Sequence, residues 1–384
     1  MSARGLLILT RNFPPLRGGM ERLVHQLVLE LSTRTTCTLI GPEGCEAAVP
    51  ASIDATGLPL RPLGAFLLRV LMTGFRIARR RRPAVILCGS GLMAPAGWLI
   101  ARSCGARVVC LLHGLDVVAR HPLYRACFLP AIRRCDRLVV NSRHTDMLAR
   151  AAGVDPQRIS VLNPGVAGGA SIAPHELASF RARHGLQDRP VILSVGRMTR
   201  RKGLLEFLDL AFPAVLQRHP HAVLLIVGGE ATHALGKAHD RVQPALKQMI
   251  ETRGWSDAVR LIGEVDEREL ALAYAAADVH AFPVVALPGD VEGFGMVAIE
   301  AAAAGVPTVA FAVGGVPDAV ADGRSGRLVE PGDYAGFAQA LSSLLARQQP
   351  ELRSQACRAF ADGFSWASRG DALYRIVTET VDHC

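Results

Sequence analysis

Unbroken apolar runs alternate along the chain with longer stretches in which apolar residues return every third or fourth position. The first run, Gly5 to Thr10, leads through the loop RNFPPLRGG into Met20 to Ser32, where Leu23, Leu27, Val28 and Leu31 recur at helical spacing. A strand apolar at every position belongs in a parallel sheet covered on both faces. The unit recurs: TTCTLIG precedes a helix over Phe66–Arg80, AVILCGS one over Met93–Ser103, RVVCLLHG one after Pro122, and RLVVNS one over His144–Ala152. From Asn163 the texture turns to NPGVAGGASIAP and a polar helix, which predicts a first domain over 1–168 and a linker over 169–188. Alternation restarts in a second domain, 189–362, with VILSVGR, AVLLIVGGE, VRLIGEV, DVHAFPV, PTVAFAV and GRLVEPG as strands. Helices are expected there at Leu204–Gln217, Gln243–Thr252, Glu267–Ala277 and Met296–Ala304. The closing segment, 363–384, is amphipathic through Trp366, Leu373 and Val377 and is expected to cross back to the first domain. This pattern predicts an α/β fold of two facing Rossmann-like, doubly wound parallel-sheet domains. Ligands of such sheets gather beyond the carboxyl ends of the strands, so a cleft between the domains is the expected site.

At 384 residues, half of them apolar, the chain is long enough to bury two cores. Its 43 basic and 34 acidic residues leave a net charge of +9, which favours an anionic ligand or an anionic membrane surface. Aromatics are only 5% and no nucleic-acid motif or zinc spacing occurs, so nucleic acid is not an expected partner. The nine cysteines form no C-x-x-C pair, and their odd number fits a reducing compartment. The opening MSARGLLILTRNFPP lacks a long apolar leader core, and the longest nearly uncharged run, Ala84 to Ala101, is broken by GSG and Pro95. The expectation is a cytoplasmic protein, peripheral at the inner face of the cell membrane if it meets lipid at all.

Candidate chemistry concentrates in DVEGFGMVAIEAAAAG, Asp290 to Gly305. Glu292 falls in a loop bent at Gly293 and Gly295 around Phe294, and Glu300, eight residues on, falls inside an alanine-rich helix. If most of that interval is helical, the carboxylates lie roughly 10 Å apart. They are then too distant to share one proton or one metal ion, and suit an extended ligand. The N–H groups of Gly295, Met296 and Val297 at the helix start would attract a phosphate. The plain alternative is a solvated loop glutamate and a wet helix face. A second stretch, SVGRMTRRKG from Ser194 to Gly203, follows a buried strand, and its Arg197, Arg200, Arg201 and Lys202 supply the charge a departing diphosphate needs. Alone it reads equally as a solvated basic turn. Gly18 and Gly19 let backbone N–H groups approach a ligand closely, although a GG loop is more often only a turn. His113, at a strand end before Gly114, is well placed for a ligand, although a single histidine is more often structural. The helix from Phe66 ends in Arg79-Arg80-Arg81-Arg82, a composition that lies on anionic lipid or, more ordinarily, packs in the fold with a solvated tail.

These motifs together resemble the family-4 group of retaining glycosyltransferases with the GT-B architecture. The likeness runs through FPPLRGGMERL, His113-Gly114, NPGV at 163, G-R-x4-K-G from Gly196, VGGE at 227, IGEV at 262, the pair Glu292 and Glu300, GRSGRLVEPGD from 323 and FSW at 364. The resemblance implies a nucleotide diphosphate sugar as donor and no metal or other cofactor. Asp290 and Glu292, superficially a metal-binding pair, are therefore assigned no ion. By resemblance Arg197 and Lys202 hold the diphosphate, Glu300 the ribose, and Glu292 with the amides near Phe294 and Gly295 the sugar hydroxyls. Gly196, Gly229, Glu230, Glu264 and Val265 lie in the stretches that would line the nucleotide, largely through backbone. His113 would contact the sugar, and Gly18 and Gly19 the phosphate or acceptor. Asp116 stands where many relatives carry a longer acid. The implied activity is metal-independent, retaining transfer of a hexose to a glycan or lipid-linked acceptor of the cell envelope, and the opening loop is similar to that of lipid mannosyltransferases using GDP-mannose. A nucleotide-sugar epimerase and a non-catalytic sugar-nucleotide binder share the same features.

Overall fold

The computed structural model describes residues 5–230, 242–346 and 350–382. One compact unit comprises the chain up to Gly165 and again from Trp366; the second is Val166–Ser365. In the first, seven parallel strands, β1 (Leu6–Leu9), β2 (Cys37–Pro42), β3 (Asp54–Leu58), β4 (Val85–Cys88), β5 (Arg107–Leu112), β6 (Arg137–Val140) and β7 (Ile159–Val161), lie in the order β3-β2-β1-β4-β5-β6-β7. In the second, β8 (Val191–Val195), β9 (Val223–Val227), β10 (Val259–Gly263), β11 (Val279–Phe282), β12 (Thr308–Phe311) and β13 (Gly326–Val329) form a six-stranded sheet ordered β10-β9-β8-β11-β12-β13. The direction of winding reverses between β1 and β4 and again between β8 and β11. These are the points where doubly wound sheets open a crevice for ligand.

Strands β1, β4 and β9 are buried at every position, as their unbroken apolar runs require. The two edge strands β3 and β7 escape that reading because one side of each is wet and neither carries an apolar run. The helix expected over Leu204–Gln217 is two helices, Leu204–Leu210 and Phe212–Arg218, broken at Ala211. Pro213 explains the break, since it has no N–H to continue the ladder. The linker expected at 169–188 is also corrected. Its polar helix, Pro174–Arg183, belongs to the second unit, where Phe180 is fully buried among Leu186, Val191 and Leu193. The boundary falls at Gly165 because burying that one aromatic outweighs the polarity of the rest of the helix.

The Trp366–Asp382 helix is part of the first unit. Leu373 and Val377 are buried there, and Arg34, at the end of the Gly19–Ser32 helix, pairs with Asp371 at 2.8 Å. Among the described residues no helix is long and apolar enough to cross a membrane.

Candidate active site

In the second unit, four loops leave the carboxyl ends of β8, β9, β10 and β11 around the switch point. Strand β8 runs into Gly196-Arg197, whose glycine adopts φ +147°. Strand β9 runs into Gly228, where a side chain is doubly excluded: φ is +131°, and a Cβ would come within 2.0 Å of the Gly196 carbonyl oxygen. The two glycine-rich turns are thus packed backbone to backbone. Beside them Glu264, after β10, lays its side chain over Gly229, while Glu230 is exposed.

The basic loop does not act as one cluster, contrary to the expectation that Arg197, Arg200, Arg201 and Lys202 share a site. Arg200 is exposed and leans toward Glu206 at 3.9 Å. Arg201 turns inward, 8% exposed, where its Nε meets Asp290 Oδ1 at 3.1 Å and its terminal nitrogen meets Glu292 Oε2. Lys202 Nζ reaches the same Glu292 oxygen at 2.7 Å and sits 4.7 Å from the centroid of the Phe282 ring. Arg197 is exposed and pairs with no carboxylate among the described residues, yet it lines one hollow with Gly196, Lys202 and Phe282. The physical reason for the split is burial. A short 3-10 turn, Arg200–Lys202, sends successive side chains to different faces, and the inward pair is retained only because two acids neutralise it.

Glu292 is therefore not a solvated loop acid. Its side chain is 12% exposed. Burial alone would raise the carboxyl, but Lys202 and Arg201 override it and hold it down at about 2. Burial also lowers the Lys202 ammonium below the ordinary lysine value, against the pull of Glu292. Both cations converge on Oε2, so neither takes Oε1. The loop itself is held from behind, where the Gly315 N–H donates to the Glu292 carbonyl at 2.9 Å. Phe294 is buried in the core against Phe364, so it offers the site only its backbone. Gly295, at φ +99°, caps the Met296–Ala303 helix, and a Cβ there would strike the Phe282 ring at 2.8 Å. Met296 and Val297 open that helix and Glu300 lies in it, accepting a hydrogen bond from the Tyr274 hydroxyl at 2.9 Å. Among the described residues no group of three or more His, Cys, Asp or Glu side chains has metal-binding geometry.

Beneath Phe282 lies His280, fully buried, with Nδ1 3.1 Å from Thr308 Oγ1 and Nε2 without a partner among the described residues. Burial, with the nearby Lys202 charge, pushes its imidazole down to about 3. A histidine kept neutral in the fold but titrating near 6.5 when unfolded lets only the unfolded chain take up a proton below pH 6.5. Stability then falls as pH drops from 6.5 toward 3, by about 2 kcal/mol at pH 5. In urea unfolding, His280→Asn is expected to lose about that much less than the parent chain between pH 7 and pH 5; equal losses would show that His280 is not the titrating group.

In the first unit, β5 delivers His113, 6% exposed, whose Nε2 lies 2.8 Å from the Gly89 carbonyl oxygen. A carbonyl only accepts, so Nε2 carries the proton and the lone pair remains on Nδ1, which is buried and without a partner among the described residues. Asp116 anchors this arrangement through backbone: its two oxygens accept the Gly91 N–H at 2.9 Å and the His113 N–H at 2.8 Å. Its shorter side chain is thus used to hold the histidine loop. At the Gly19–Ser32 helix the anion site expected from Gly18 and Gly19 contains the chain's own carboxylate. Glu21 folds back so that a Cβ on Gly18 would lie 2.3 Å from its Oε2, and Asn12 donates to Oε1 at 2.7 Å. Tyr274 and Asn12 are the site-forming residues that pattern reading passed over, and the pairing of Arg201 with Asp290 and Glu292 was not expected.

Two parallel-sheet α/β units in tandem, the second with a glycine-rich basic loop and paired glutamates at its switch point, define the GT-B class of glycosyltransferases. Solved structures of the same fold include HepE of Anabaena in complex with UDP-glucose (TM-score 0.79, 19% identity, 99% of each chain) and sucrose-phosphate synthase of Thermosynechococcus elongatus (TM-score 0.79, 22% identity, 99% of this chain and all of that one). Residues 17–167 match Glycosyltransferase Family 4 and residues 189–347 match Glycosyl transferases group 1. The GDP-mannose-dependent alpha-(1-6)-phosphatidylinositol monomannoside mannosyltransferase of Mycolicibacterium smegmatis is 30% identical over 97% of this chain and 98% of its own, and the chain belongs to this glycosyltransferase family. The D-inositol 3-phosphate glycosyltransferase of Mycobacteroides abscessus is 36% identical over 294 residues, of which this chain spans 62% of the relative's length.

Proposed function

We propose that the protein transfers a sugar from a nucleotide diphosphate sugar, GDP-mannose or a UDP-sugar, to a glycan or lipid-linked acceptor, with retained anomeric configuration and without a metal ion. The observation that carries this reading is the hollow shared by Arg197 and Lys202, with Glu292 bonded to Lys202 at 2.7 Å. There Arg197 and Lys202 meet the diphosphate, Glu292 Oε1 receives a sugar hydroxyl, Glu300 receives the ribose, and the backbone near Gly229, Glu230, Glu264 and Val265 receives the base. The C1–O bond to the diphosphate breaks as the acceptor oxygen bonds C1 on the same face, and the acceptor proton passes to the departing phosphate oxygen. Positive charge already fixed at that oxygen lowers the barrier most, because it costs no reorganisation during reaction. In the first unit, His113 Nδ1 would accept a hydrogen bond from a sugar or acceptor hydroxyl, and a phosphate or acceptor reaching Gly18 and Gly19 would first have to displace the Glu21 carboxylate. The relative acting on phosphatidylinositol monomannoside with GDP-mannose supports a lipid-linked acceptor.

Thermal-shift screening against GDP-, UDP- and ADP-sugars tests the donor. A ligand at a hundred times its dissociation constant adds about 2.7 kcal/mol, a shift of several degrees. Stabilisation by none of them would remove the reading. Product analysis without acceptor then separates transfer from isomerisation of the donor, and a donor bound but neither transferred nor slowly hydrolysed would mark a binding protein.

The Leu63–Arg81 helix supports contact with an anionic bilayer. Phe66, Val70, Gly74 and Ala78 face the core, whereas Leu68 and Met72 are 57% and 62% exposed beside Arg69, Arg76, Arg79 and Arg80. Near such a surface each basic residue contributes about 1 kcal/mol. Neutralising Arg79, Arg80 and Arg82 together is expected to weaken co-sedimentation with phosphatidylserine vesicles by about two orders of magnitude, and unchanged binding would refute the role of this helix.

A further inference from the structure

Glu300 lies in the Met296–Ala303 helix. A group from the Glu267–Ala276 helix meets its carboxylate: Tyr274, 5% exposed, whose hydroxyl donates to Glu300 Oε2 at 2.9 Å and lies 3.3 Å from the Val297 carbonyl. The ring is itself held, being packed in the core with Leu272 and Ala273 and edge-on to His280 with centroids 6.4 Å apart. His280 in turn stacks on Phe282 at 5.7 Å, and Phe282 carries Lys202. One buried row of rings therefore runs from the carboxylate of Glu300 to the ammonium of Lys202.

We infer that Tyr274 is a positioning residue for the donor: its hydroxyl aims the Glu300 carboxylate at the vicinal hydroxyls of the nucleotide ribose. The inference rests on the proposed ribose role of Glu300. A flexible carboxylate loses side-chain entropy when it grips a diol, whereas one already fixed at Oε2 by a rigid phenol does not. A charge-assisted O–H···O⁻ bond also sets the carboxylate plane, which a bare helix position leaves to rotate. Because the diphosphate-binding cation rests on the same ring row, Tyr274 fixes the ribose acid and Lys202 against one core.

The test compares the parent chain with Tyr274→Phe, Glu300→Gln and the double variant, using GDP and UDP and their 2′,3′-dideoxy counterparts as calorimetric probes and the selected donor in kinetics. Tyr274→Phe keeps the ring and removes one oxygen. It is expected to raise donor KM and the Kd of the ribonucleotide about tenfold and to leave kcat within twofold. The preference for ribo over dideoxy nucleotide should shrink toward that of Glu300→Gln. In the Glu300→Gln background the tyrosine change should add little. Parent-like affinity and ribose preference in Tyr274→Phe, with both lost in Glu300→Gln, would overturn the role of Tyr274 alone. An intact ribose preference in Glu300→Gln would overturn the ribose reading and this inference with it. A proportional fall in kcat for Tyr274→Phe with unchanged ribose preference would show the bond to be only a tie between helices.

Discussion

Glu292→Gln is expected to destabilise the second unit by about 3–5 kcal/mol, because it leaves two buried cations facing an uncharged amide. The parent carboxylate sits with Lys202 Nζ at 2.7 Å and Arg201 on the same oxygen, while Asp290 meets only Arg201. Removing the charge thus strands Lys202 most. The pH dependence has a definite sign. The folded carboxyl is held at about 2 against an ordinary 4.5, so its contribution is complete above pH 4.5 and is lost as pH falls from 4.5 toward 2. The span corresponds to about 3 kcal/mol, in line with the mutational figure. Urea unfolding at neutral pH and through that acid window measures both quantities. Lys202→Met in the Glu292→Gln background should recover part of the loss by removing the stranded charge. A deficit under 1 kcal/mol at neutral pH would mean that solvent, not the carboxylate, neutralises these cations.

Arg197→Ala should behave oppositely, lowering kcat/KM by about 10²–10³-fold while moving stability by no more than about 0.5 kcal/mol. The guanidinium is exposed and has no carboxylate partner among the described residues, so the unliganded fold gains little from it. Its charge is uncommitted and is available to a diphosphate, unlike that of Arg201. Arg197→Lys should recover only part of the activity, since an ammonium lacks the planar fork that grips two phosphate oxygens. Steady-state kinetics beside thermal unfolding separate the two effects, and turnover at the parent level in Arg197→Ala would remove this residue from the reaction. The contrast between the variants follows from burial: Glu292 neutralises two inward cations, whereas Arg197 is exposed and pairs with no carboxylate among the described residues.

Much of this was legible in the pattern of residues. Six largely apolar runs marked β8 to β13, and those in the middle of the sheet are the most deeply buried because helix layers cover both their faces. Gly295 marked a backbone turn that a Cβ would obstruct. Where the reading failed, a long-range contact had overruled a local signal. Pro174–Arg183 is polar enough for a linker, yet Phe180 ties it into the core; β3 and β7 are short and half-wet, so nothing periodic announces them. Arg197, Arg200, Arg201 and Lys202 look alike in a string of letters, and only the fold assigns one to solvent, one to Glu206 and two to the inward carboxylate of Glu292.

The chain's order of residues by itself determined the two α/β repeats, the glycine turns at the strand ends and the types of group available there, since these depend on period, volume and backbone freedom within a few residues. The tertiary structure alone decided which charges neutralise one another and which remain for a ligand. Glu292 and Lys202, or Tyr274 and Glu300, lie far apart along the backbone, and their protonation and aim depend on the distance and burial that folding imposes.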